Sequence, residues 1–289
     1  MNLYWYGDNN GTQVKDDAVQ GAAGYNNYLY GLGGNDTLYG HNLADLLRGG
    51  LGNDVLAGFG GNDVITGDEG SDYLFGHDGQ DTLYGGADND ILYGGNDHDT
   101  LEGEDGNDEL YGEDGNDLLK GGAGDDVLDG GSGTNILHGG EGNDSLTSNA
   151  GTNYLYGEEG DDDMFATADA DFTQMFGGAG WDSYYVSSGA SAVIVDDDGH
   201  GNNALILTGQ AIDIQDMVFA RGYLTGSMFV RDSNGDDLKV QAGTAEVYVM
   251  DQFIDETPAV GHLFHTDASG VYKGDGLPGL SNWDIFPGA

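Results

Sequence analysis

The chain runs to 289 residues, room for one long domain or two modest ones, and sets 52 acidic residues against 7 basic ones for a formal net charge of -45. Self-repulsion on that scale opposes compaction, makes nucleic acid and anionic membranes poor partners, and leaves cations as the natural ones. Cysteine is absent, which excludes a disulfide framework and a thiolate metal site, and no apolar run is long enough for a transmembrane helix.

In chain order, residues 1–21 read as an N-terminal cap with Leu3-Tyr4-Trp5-Tyr6 as its strand. The basic segment, apolar core and small-residue cleavage site of a Sec-type signal peptide are lacking, so an export address is expected elsewhere.

From residue 22 to 165 one nine-residue unit recurs sixteen times. Starting one step before at Asn27, every ninth residue is Asp36, Asp45, Asp54, Asp63, Asp72, Asp81, Asp90, Asp99, Asp108, Asp117, Asp126, Asn135, Asp144, Asn153 and Asp162. Two residues after each stands a large aliphatic side chain, from Leu29 to Met164, in all sixteen units. Five residues before each stands a glycine in fourteen units, Ala22 and Ser148 being the exceptions. A second glycine, two before the Asp, recurs in twelve; Tyr25, Leu43, Asp88 and Asp97 replace it elsewhere, and Leu43 fits a left-handed turn worst. The fullest copies are Gly121-Gly122-Ala123-Gly124-Asp125-Asp126-Val127-Leu128-Asp129 and Gly139-Gly140-Glu141-Gly142-Asn143-Asp144-Ser145-Leu146-Thr147.

A glycine-rich stretch of this length makes a turn, and the three residues after it a short strand with its aliphatic side chain inward. Two units close one coil of eighteen residues, and stacked coils pair as parallel strands about 4.8 Å apart, giving a roll of roughly 38 Å. The spacing therefore predicts an all-β fold, a parallel β-roll.

Residues eighteen apart then lie above one another, so Asp36 to Asp162 line one edge and Asn27 to Asn153 the other. Carboxylates stacked about 5 Å apart need a hard divalent cation between them. Calcium fits, because it takes six to eight oxygens in flexible geometry, turn carbonyls included. Magnesium demands a tighter octahedron and zinc prefers nitrogen or sulfur. Seven Asp–Asp gaps on the first edge and four on the second predict about eleven strong sites. Gaps touching Asn27, Asn135 or Asn153 are expected to be weaker, because an amide keeps an oxygen but loses the charge.

These units resemble the repeat-in-toxin family, the haemolysin-type calcium-binding proteins, whose nonapeptide reads Gly-Gly-x-Gly-x-Asp-x-aliphatic-x. The resemblance covers residues 22–165, about half the chain. It implies a right-handed β-roll, export by the type I secretion machinery through an uncleaved C-terminal signal, and folding on meeting external calcium.

After the roll the frame slips by two, and residues 166–190 carry one last motif, Gly177-Gly178-Ala179-Gly180-Trp181-Asp182, with Asp182 a further candidate ligand and Tyr184 inward. Residues 191–254 show ordinary strand patterns such as Ala192–Val195 and are similar to the flanking β-domain that follows many such rolls, here expected to cap the open strand edge. Within them 232–237 reads as a hairpin turn rather than a calcium loop, lacking the glycine and terminal glutamate of an EF-hand. Residues 255–289 form a tail, the expected place for a secretion signal.

No His-Glu-x-x-His zinc motif and no Gly-x-Ser-x-Gly elbow occurs, and His262 and His265 read as surface residues, so catalysis is not expected. On one outer face Tyr39, Phe75, Tyr93 and Tyr111 recur at multiples of eighteen. They read as cross-strand stacking that shields the ladder, or else as a docking patch for a like subunit, a polymer or a cell surface. The whole reads as a secreted, non-enzymatic calcium-binding protein with a structural or interaction role outside the cell. The alternative is the C-terminal secretion and folding module of a larger enzyme, toxin or adhesin. Ice binding is a weaker third reading, because Asn recurs before the Asp but the matching Thr column is missing.

Overall fold

One apolar residue in nine cannot fill a conventional core, so each strand must find its partner directly above and below. That is the arrangement in the computed structural model, which describes residues 2–6, 17–167 and 169–187, and beyond them the backbone strands Ala192–Val195, Ala204–Thr208, Val218–Phe219, Phe229–Asp232, Val247–Val249, His262–Thr266 and Tyr272–Gly274. Strand Thr82–Ala87 pairs in parallel with Thr100–Asp105, and Ile91–Asn96 with Glu109–Gly115. The register sets Leu83 against Leu101 and Leu92 against Leu110, an offset of eighteen. The chain is an all-β parallel solenoid with eighteen residues per coil, and no helix occurs among the described residues. None of those residues forms a helix long and apolar enough to cross a membrane.

The inward column is continuous. Leu29 through Leu155 and Met164 are at most 1% exposed, and Val19, Met175, Tyr184 and Val186 extend the same cluster. Eight strands of the roll run to six residues, as in Val64–Glu69, rather than the expected three. The reason is that parallel pairing continues past the aliphatic residue, to Asp68 with Gly86 and Glu69 with Ala87. The position four before the Asp accordingly carries side chains in several coils, with Phe59, His77 and Glu104 at φ of 75–76°. Among the replacements two before the Asp, Asp88 and Asp97 adopt φ 76°, while Leu43 stays out of the left-handed region.

The predicted frame slip is a register shift between Gly151 and Thr152. There Gly151 pairs with Ala170 but Thr152 with Phe172, and the offset is twenty for the rest of that pairing and for Asp163–Ala166 against Ser183–Val186. Parallel pairing does not stop at the last full motif. Thr173–Phe176 pairs with Ala192–Val195, Ser183–Ser187 with Ala204–Thr208, and these in turn with Val218–Phe219 and Phe229–Asp232. Val247–Val249, His262–Thr266 and Tyr272–Gly274 form a separate antiparallel sheet. The hairpin expected at 232–237 lies, after its first residue, outside the described residues. At the other end Asn2–Tyr6 pairs in parallel with Asn26–Gly33, and Ala18–Gln20 with Thr37–His41.

Outside, Phe75, Tyr93 and Tyr111 form a continuous stack with centroids 5.2 and 4.9 Å apart. Tyr39 is separated from it by Ala57 and instead tilts onto Phe59, whose ring stacks on His77 at 5.2 Å. On the other face His138, Tyr156 and Phe176 stack in the same way. That face also carries the ion pairs Arg48–Asp68 and Lys120–Glu102 and a hydrogen bond between His138 and Glu158.

Candidate metal centre

Each turn ends at the predicted Asp or Asn, and the coil stacking places these side chains in two columns. Asp36, Asp54, Asp72, Asp90, Asp108, Asp126, Asp144, Asp162 and Asp182 climb one edge, all at most 2% exposed. Asn27, Asp45, Asp63, Asp81, Asp99, Asp117, Asn135 and Asn153 climb the other, at most 4% exposed. Every candidate ligand named from the sequence therefore lies in a buried column. The reading missed Thr173, which is fully buried and follows Asn153 in register, because the offset there is twenty instead of eighteen.

One oxygen of each carboxylate is used by the fold. Asp54 Oδ1 accepts the backbone N–H of Asp36, Asp72 Oδ1 that of Asp54, and so on up the column to Asp162, at 2.6–2.9 Å. The second edge repeats this from Asn27, whose N–H meets Asp45 Oδ1, to Asp117, whose N–H meets Asn135 Oδ1. Asp162 N–H reaches Asp182 Oδ1 at 3.2 Å, so the column survives the frame slip.

Except in Asp45, whose Oδ2 accepts the N–H of His41 at 2.6 Å, the other oxygen has no such use. Oδ2 of Asp54, Asp63, Asp72, Asp81, Asp90, Asp99, Asp108, Asp117, Asp126, Asp144 and Asp162 is buried without a hydrogen-bond partner. An unsatisfied buried carboxylate oxygen is costly, so a column of them needs a common explanation. Its surroundings supply one. A Cβ at Gly67 would overlap Asp72 Oδ2 and come within 2.6 Å of the Gly85 carbonyl oxygen. The same pairing of carboxylate and carbonyl recurs at Gly85, facing Asp90 and Gly103. Glycine five before the Asp thus keeps open a small space ringed by oxygens.

Burial raises these carboxyls far above the usual aspartate range. Asp54, Asp63, Asp72, Asp99, Asp117, Asp126 and Asp162 are pushed up to about 7, Asp81, Asp108 and Asp144 to about 6, and Asp90 to about 8. Desolvation is the largest cause, the backbone N–H opposes it, and for Asp90 the charges of Asp72 and Asp108 add to it. An all-oxygen, anionic donor set of carboxylates and carbonyls is what a hard divalent cation takes. Among the described residues no three His, Cys, Asp or Glu side chains converge on one point, so backbone carbonyls must complete any such shell.

Stacked buried carboxylates beside glycine carbonyls define the class: a β-solenoid built to hold cations along its edges. The profile of the RTX calcium-binding nonapeptide repeat matches residues 21–56, 42–74, 66–101, 102–137 and 138–172. Those matches cover more than half the chain, and the chain belongs to that family. No curated protein matches it.

Proposed function

We propose that the protein is secreted, folds when it reaches a calcium-rich exterior, and acts there or at the cell surface as a structural or interaction component rather than an enzyme. The column of buried, partnerless Asp Oδ2 atoms carries this reading. In their charged form those carboxylates repel one another at strand spacing, and calcium between them removes both the repulsion and the missing bonds. The ligands are the Asp side chains from Asp36 to Asp162, with Asp182 extending the first edge and Asn135 offering an uncharged oxygen on the turn of Asp117. The family supports export by the type I secretion machinery, with a signal in residues 255–289. Strands that extend the parallel ladder as far as Phe229–Asp232 support a role for 191–254 in covering the end of the roll.

Circular dichroism of the full chain during a calcium titration tests this. A β-signal that appears with calcium and vanishes in excess chelator is expected. An unchanged spectrum in chelator at neutral pH would reject the reading.

A further inference from the structure

The second edge does not begin and end as it runs in the middle. At its start the Asn27 carboxamide is oriented by its neighbours. Its Oδ1 accepts the N–H of Ala22 at 2.8 Å, while Nδ2 donates to Asp45 Oδ1 at 2.9 Å and to the Tyr25 carbonyl at 3.2 Å. Rotating the amide would set an oxygen against those two oxygens and an NH₂ against an N–H, so the assignment follows from the partners. The Nδ2 group therefore donates to a carboxylate oxygen and a turn carbonyl, the kinds of atom that ring the space beside Asp72 in the middle of the roll.

At the far end the chemistry changes again. Ser148 stands where the six units of this edge from Gly40 to Gly130 have glycine. Asn153 Nδ2 donates to Ser148 Oγ at 3.0 Å, and Ser148 Oγ bonds Thr173 Oγ1 at 2.6 Å. All three side chains are fully buried. At the glycine units a Cβ would overlap Asp Oδ2, as at Gly58 against Asp63. Ser148 therefore places a hydroxyl where a carboxylate would clash, and it does so only where Asn153 and Thr173 have replaced the carboxylates. Asn135, by contrast, keeps its glycine, Gly130, and its place in the backbone ladder.

We infer that hydrogen bonds take the place of ions at both ends of the second edge. The Asn27 amide closes the first gap, and the Ser148–Asn153–Thr173 cluster closes the last. This rests on the calcium reading above and deepens it, because it makes the two ion columns unequal. The first runs the length of the roll, and the second is confined to Asp45 through Asp117, with neutral seals that hold at any calcium level.

Native mass spectrometry of the full chain in saturating calcium counts the ions. Asn27→Asp is expected to take up one ion more than the parent. The triple variant Ser148→Gly, Asn153→Asp, Thr173→Asp is expected to take up at least one more, and Asn27→Ala the same number as the parent. An Asn27→Asp count equal to the parent's, or one ion fewer in Asn27→Ala, would show that Asn27 already serves as a ligand and would overturn the inference. Should Asn27→Asp fail to fold, the Asn27→Ala and triple variants decide alone. A parent chain that binds no calcium would instead defeat the functional reading, a result the variant counts cannot produce.

Discussion

Asp90 is pulled in two directions. The N–H of Asp72 donates to its Oδ1 at 2.7 Å and favours the charged form, while burial and its stacked neighbours push its carboxyl up to about 8. In the unfolded chain the same group titrates at about 3.9. The metal-free roll thus binds more protons than the unfolded chain between those values, so this contribution to stability is full below about 3.9 and lost as pH rises through the folded values. With chelator present throughout, the β-signal is therefore expected to grow as pH falls from about 8 to about 5, and a flat profile would contradict the burial of these groups. The glycines facing them make a second prediction. A Cβ at Gly67 overlaps Asp72 Oδ2, so Gly67→Ala is expected to cost about 2 kcal/mol and to raise the calcium needed for folding. Gly33→Ala is the control, because its nearest neighbour, Leu51 Cβ, is 3.5 Å away; a change within about 0.5 kcal/mol is expected. Urea unfolding at fixed calcium compares the two, and equal losses would mean that the glycines serve the backbone alone.

A single strand shows which parts of a coil hold it together. In Ile91–Asn96 the inward Leu92 is fully buried between Leu74 and Leu110, while the outward Tyr93 stacks between Phe75 and Tyr111. Leu92→Ala leaves a cavity that neighbouring coils cannot close, at about 3 kcal/mol. Tyr93→Ser removes ring stacking on an open face, at about 1 kcal/mol, and leaves the ion count unchanged. Denaturation in saturating calcium separates them, and a Tyr93→Ser loss as large as that of Leu92→Ala would make the aromatic row part of the core. The inward and acidic columns were legible in the sequence because a period of nine converts directly into stacking once two units close a coil. The aromatic row was legible only in part. Phe59 and His77 stand four before their Asp, a position that reads as turn, yet the strand runs through it with φ near 75° and brings both rings into the row. Thr173 escaped for a different reason. The two residues inserted before it break the period, and only the pairing of Asn153 with Thr173 restores the column.

At the scale of the whole molecule, the net charge of -45 and the thin interior point the same way. A solenoid coil touches only its neighbours, so stability accumulates coil by coil instead of in one core. An ion at tenfold saturation adds roughly 1.4 kcal/mol by mass action, so the eleven or so sites expected from the sequence would add about 15 kcal/mol, as much as the net stability of an ordinary domain. That many ions would offset about half of the negative charge, which otherwise opposes bringing the coils together. Removing calcium at neutral pH should therefore dismantle the roll rather than loosen it. Small-angle scattering in chelator is expected to show an expanded chain approaching the roughly 60 Å radius of gyration of an unfolded polymer of this length. Restoring calcium should recover the compact particle, and the same concentration of magnesium should not, because the carbonyls beside Asp72 and Asp90 are set by the strand spacing and cannot contract to its octahedron. A chain that stays compact in chelator at neutral pH would mean that the inward aliphatic column alone overcomes the repulsion of the edges, and the carboxylate columns would then need another explanation.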